Sequence, residues 1–184
     1  MLYAVLDMDW HTEPDSVPGC DPYGGYVWNE SLFPDVTNFT SFLHDNSLKV
    51  IVNTHDVTGV DHCQGAVYEA MASALGIDAS TNTTVPCQLQ NATYSEALYR
   101  IILDPLINGG IDWYWTDWGK DDNVWYRCVA DTQAQPMLWS NYLHGQRARA
   151  TGKRGLVLTP YGGLGNHRYP QVGSGDTDVV RTGD

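Results

Sequence analysis

Five polar residues sit where short apolar runs give out, and a sixth lies in a glycine-rich stretch. Asp7 and Asp9 follow Leu2-Tyr3-Ala4-Val5-Leu6. Asn53 and His55 end Leu48-Lys49-Val50-Ile51-Val52. Asp117 closes Ile111-Asp112-Trp113-Tyr114-Trp115-Thr116, and Asp176 lies in the glycine-rich stretch Gly173-Ser174-Gly175-Asp176-Thr177. Indoles stand beside these acids at Trp10, Trp115 and Trp118. Carboxylates next to indoles point to chemistry on sugars. Cleaving a glycosidic bond takes two carboxyl groups flanking it, one as nucleophile or base and one as proton donor. Flat indoles cover the C–H face of a sugar ring. The competing reading is that an aspartate at a strand end merely caps the loop after it.

Other chemistries find less support. No Gly-x-Gly-x-x-Gly follows an apolar run, so a dinucleotide site is not expected. No Gly-x-Ser-x-Gly elbow is present. His55 and His62, with Cys63 beside it, lack a further ligand at regular spacing, so no metal is expected. Cys20, Cys63, Cys87 and Cys128 form no Cys-x-x-Cys pair and read first as scattered free thiols, with disulfides between loops as the alternative.

The elements that must position these groups follow from periodicity. The apolar runs 2–6, 48–53, 111–115 and 156–158 read as buried strands. Helical spacing covers about 36–46, 64–75 and 137–150. A further helix opens on Thr93-x-x-Glu96, a capping-box pattern, and carries Leu98, Ile101, Ile102 and Leu106. The last 24 residues read as glycine-rich loop. Strands alternating with helices predict an α/β fold with a parallel sheet, whose C-terminal rim is where sites are built. No linker divides the 184 residues, which read as a single domain or part of one.

The chain is acidic, with a net charge of −12, and 42 % of its residues are apolar. That balance excludes global disorder and disfavours nucleic acid and anionic membranes as partners. No apolar stretch reaches the length of a membrane-spanning helix. Four acceptor patterns for N-linked sugars, at Asn29, Asn38, Asn82 and Asn91, point to a secretory or extracellular setting. No signal peptide is expected within the chain, because Asp7 interrupts the first apolar run and no basic segment precedes it.

Several segments in order resemble glycoside hydrolase family 31, the α-glucosidase-like enzymes. Val5-Leu6-Asp7-Met8-Asp9-Trp10-His11 looks like the family's first aspartate-bearing strand. Gly25-Tyr26-Val27-Trp28-Asn29, Leu32-Phe33-Pro34-Asp35 and Asn53-Thr54-His55 continue the pattern. Ile111-Asp112-Trp113-Tyr114-Trp115-Thr116-Asp117-Trp118 resembles the nucleophile strand, and 162–170 with Ser174-Gly175-Asp176-Thr177 resembles the acid/base region. The resemblance implies part of a (β/α)8 TIM barrel, about four strand–helix units from its middle. It implies a retaining α-glycosidase acting through a covalent glycosyl–enzyme intermediate, with Asp117 as nucleophile and Asp176 as general acid/base. Asp7, Asp9, Trp10, His55, Trp115 and His167 would contact a carbohydrate substrate, and no cofactor is implied. At one position the chain departs from the family: Pro160 stands where relatives carry a sugar-contacting arginine. That departure leaves a second reading, a catalytically silent carbohydrate-binding relative or a fragment without activity of its own.

Overall fold

The computed structural model describes residues 2–12, 18, 20–117, 128, 136–150, 152, 156–159, 168 and 171–172. Its strands are β1 (Leu2–Leu6), β2 (Leu48–Thr54), β3 (Trp113–Thr116), β4 (Val157–Thr159) and β5 (Gln171–Val172). They form one sheet in the order β1-β2-β3-β4-β5, every neighbouring pair parallel. Each strand lies beside the one that follows it in the chain, so the sheet winds in one direction, as a segment of a barrel does. The fold is α/β and part of a TIM barrel, as expected. The tail predicted to be loop contributes the fifth strand, β5. Two residues are too few to show a hydrophobic period.

Helices return the chain between strands. Helix α1 (Val36–Asp45) starts where the Asp35 side chain accepts from the Asn38 amide at 2.9 Å. Helix α2 (Ala66–Leu75) begins two residues later than predicted, after a 3-10 turn over His62–Gln64, and stops at Gly76 in the left-handed region. Helix α3 (Ala92–Leu98) runs through a π turn (Tyr99–Leu103) into α4 (Asp104–Asn108). Its N-cap is Asn91, whose side chain accepts from Thr93 N at 3.0 Å, so the capping box at Thr93 is a correction. The two residues are both good cappers, and the one that precedes the first turn takes the role. Pro105 follows the π turn directly, and its missing N–H removes one backbone donor at that point of the helix. Helix α5 (Pro136–Ala150) leads into β4.

Alternation splits the sheet into two faces. Val50, Val52 and Tyr114 face the helices and join Met71, Leu98, Ile102 and Leu103 in the core. The Tyr114 hydroxyl donates to Leu103 O at 2.5 Å, which fixes the strand against the helical turn. Ile51, Asn53, Trp113 and Trp115 point the other way, Asn53 directly opposite Trp115. Trp113 and Trp115 share a face and Tyr114 takes the other, as predicted. At the N-terminal ends of β2 and β3 the buried Asp112 carboxylate accepts from Val50 N at 3.0 Å and from Lys49 Nζ at 3.1 Å, and lies 2.8 Å from His44 Nε2. A carboxylate so tied holds the strand register at the end opposite the rim.

The cysteines are paired: Cys20 with Cys63 and Cys87 with Cys128. This overturns the reading as free thiols. Spacing along the chain carries no information about loops that fold back onto one another.

Candidate functional site

The C-terminal rim gathers around Asp117. It follows β3 directly, and its own amide donates to Thr54 O at 3.0 Å, so the chain stays in register with β2 past the last strand residue. Its side chain is 19 % exposed. Asn53 Nδ2 donates to Asp117 Oδ2 at 2.9 Å. The same oxygen lies 3.9 Å from His55 Nε2. Asn53 is fully buried, and its carbonyl in turn accepts from the Trp10 indole at 2.8 Å. Two contacts on one carboxylate oxygen orient the group.

His55 is buried, and burial pushes its pKa below the usual value. Asp117, Asp56, Asp21 and Asp7 act on it in the opposite sense without cancelling that effect. The imidazole is therefore neutral at neutral pH, and it meets Asp117 as a dipole. The Tyr23 ring leans on it, with centroids 5.5 Å apart.

The residues named from sequence are unequally placed. Asn53, His55 and Asp117 come together. Asp7 and Asp9 are exposed on the same rim, where the Asp7 carboxylate caps the short 3-10 turn Met8–Trp10 through Met8 N at 2.8 Å. Trp115 is half-buried beside Asn53. Trp10 is 1 % exposed and packs edge-on against Trp28 and His11, so it supports Asn53 from beneath and offers no open face. Asp176, His167, Pro160 and Trp118 lie outside the described residues. Asp21 and Tyr23 reach the site from a loop rich in Gly and Pro, and their sequence context carries no periodic signal.

Beside the rim, Cys20, His62 and Cys63 place their possible ligand atoms within 4.8 Å of one another. The two sulfurs are bonded to each other, which removes the thiolates that a metal would need.

The family model for the glycosyl hydrolases family 31 TIM-barrel domain matches residues 3–181. The chain belongs to this family. Among solved structures, a family 31 sulfoquinovosidase from E. rectale in complex with an aza-sugar inhibitor aligns with a TM-score of 0.63 at 16 % identity, over 91 % of this chain and 28 % of that one. A family 31 α-xylosidase from a soil metagenome, complexed with xylose, aligns with a TM-score of 0.63 at 14 % identity, over 98 % and 28 %. A xylosidase from Aspergillus niger gives 0.62 at 13 %, over 96 % and 29 %. At these identities the likeness is one of fold. The chain spans less than a third of the length of these enzymes. A search of curated proteins gives no match. Within family 31, the sheet of this chain corresponds to part of the TIM barrel, and Asp117 directly follows one of its strands.

Proposed function

We propose that this family 31 chain is the middle of the catalytic barrel of a retaining α-glycosidase. Asp117 is the nucleophile and attacks the anomeric carbon to form a covalent glycosyl–enzyme intermediate. Asp176 protonates the leaving oxygen and then deprotonates the water that releases the sugar, the two-step course that retention requires. Asp7, Asp9 and Trp115 contact sugar hydroxyls and ring faces on the rim, with His167 completing the contacts. His55 and Asn53 hold Asp117 in its attacking rotamer. The single observation that carries this reading is the Asp117 carboxylate at the C-terminal end of β3, held through one oxygen by Asn53. In a barrel of this kind, a carboxylate at that end of a strand stands where chemistry is done.

The test is hydrolysis of aryl α-glycosides by the full-length protein that contains this chain, beside its Asp117→Ala variant. Loss of turnover in the variant supports the assignment, and equal rates overturn it.

Pro160 favours a second reading, a carbohydrate-binding relative without turnover. Proline cannot donate a charge-assisted hydrogen bond, and losing one such contact removes about 2–4 kcal/mol of transition-state binding. Calorimetry that detects sugar binding in a protein with no measurable hydrolysis would favour this second reading.

A further inference from the structure

The proposed hydrolysis has no use for the acceptor pattern Asn82-Thr83-Thr84. Asn82 is exposed at the end of a 3-10 turn over Ala79–Thr81, with φ of +52°. Its side-chain amide has no hydrogen bond among the described residues. The third position of the pattern is anchored separately, because the Thr84 hydroxyl donates to Asp61 Oδ1 at 2.5 Å. A recess of about 330 Å³ lies directly against Asn82, lined by His62, Tyr68, Glu69 and Ser80. The carboxylate, hydroxyl and imidazole around it suit the hydroxyls of a sugar residue, while Tyr68, 2 % exposed, gives the recess a wall and no open ring face.

The other three patterns are placed differently. Asn29 is half-buried, and its side chain accepts from both Ser31 N and Ser31 Oγ. Asn91 caps helix α3 and donates to Gln88 Oε1 at 3.2 Å. Asn38 is exposed on α1. The two disulfides supply an independent observation, since such bonds form and persist in oxidising compartments. N-linked sugars are added in the same secretory route.

We infer that Asn82 carries an N-linked glycan whose first N-acetylhexosamine rests in the recess beside Tyr68 and Glu69. The donor is an oligosaccharide joined through pyrophosphate to a lipid. The bond from the sugar C1 to the pyrophosphate oxygen breaks, a bond from C1 to Asn82 Nδ2 forms, and the amide gives up one proton. The lipid pyrophosphate leaves with the electron pair. No oxidation or reduction is involved.

The experiment expresses the full-length protein, with its own targeting sequences, in a secreting eukaryotic host. The purified protein is treated with peptide N-glycosidase in ¹⁸O water, which converts each glycosylated asparagine to labelled aspartate. Fragmentation of the peptide that holds both Asn82 and Asn91 then locates the label. Label at Asn82 is expected, together with the loss of one glycan's mobility shift in Asn82→Gln and in Thr84→Ala. Both the secreted and the lumenal pools give this readout, so a variant that folds poorly still reports. Unlabelled Asn82 in both pools, or a protein that never enters the lumen, overturns the inference.

Discussion

Asn53 donates to Asp117 across the seam between β2 and β3, at 2.9 Å from Nδ2 to Oδ2. The two side chains leave neighbouring strands at their C-terminal ends, so the parallel register itself brings them together. Asn53 is held from below by the Trp10 indole. Asn53 thus accepts from the core on its backbone carbonyl and donates to the carboxylate from its side chain.

Breaking the side-chain bond to Asp117 should alter chemistry through position. Asn53→Ala is expected to lower kcat of the full-length enzyme about 100-fold, the usual cost of a reacting group misplaced by about 1 Å. Asn53→Asp gives a sharper signature. A second carboxylate beside Asp117 disfavours its charged form, so the acid limb of the kcat/KM profile moves to higher pH. An unmoved limb would deny Asn53 its positioning role.

Gly25 lies against His11, and a Cβ built on it would run into the imidazole. His11 is itself buried, so the ring has nowhere to yield. Gly25→Ala should cost about 2–3 kcal/mol by overpacking. Urea unfolding of the variant beside Gly25→Ala/His11→Ala checks this, because the double variant should recover part of the loss.

Asp56 and His144 form a fully enclosed pair, 2.6 Å apart, between the rim of β2 and helix α5. Removing one partner leaves the other buried with its polar group exposed to carbon. His144→Ala is expected to lower stability by about 3–5 kcal/mol. His144→Gln, which can still donate, should lose less. Chemical denaturation of both variants decides, and equal losses would mean that packing, not the pair, matters.

Burial lowers the pKa of both His11 and His55 below 6.5. The unfolded chain then takes up protons before the folded one. Stability from these groups is complete above 6.5 and falls as pH drops from there through their folded values. Urea midpoints at about pH 7.5 and about pH 5.5 should show the fall, and His11→Gln should flatten it.

The sulfur pairing predicts that none of the four cysteines reacts with a thiol reagent in the unreduced protein, folded or in denaturant. Replacing Cys87 and Cys128 with alanine should lower stability by about 2–4 kcal/mol, given their sequence separation of 41. A reactive thiol at either position would contradict the pairing.

Much of this arrangement was legible in the sequence for physical reasons. The runs around Val50 and Tyr114 are short, apolar and bounded by polar residues, which is how a buried parallel strand must look. Their polar termini therefore pointed to Asn53, His55 and Asp117. Residues that reach the site from loops were not legible. Tyr23 and Asp21 come from a stretch whose shape depends on Gly and Pro turns and on Cys20, not on periodicity. The buried Asp56–His144 pair joins residues 88 apart, and no local pattern announces it. Trp10 read as a sugar platform because it follows two aspartates, but its neighbours Trp28 and His11 close over it.

The disulfides have a consequence for motion. Cys20 belongs to the connection between β1 and β2, Cys63 and Cys87 to the connection between β2 and β3, and Cys128 to the connection between β3 and β4. Three successive connections are therefore covalently continuous, like links of a belt drawn around one side of the rim. A reductant cuts these ties and leaves the hydrogen-bonded pairing of the strands untouched.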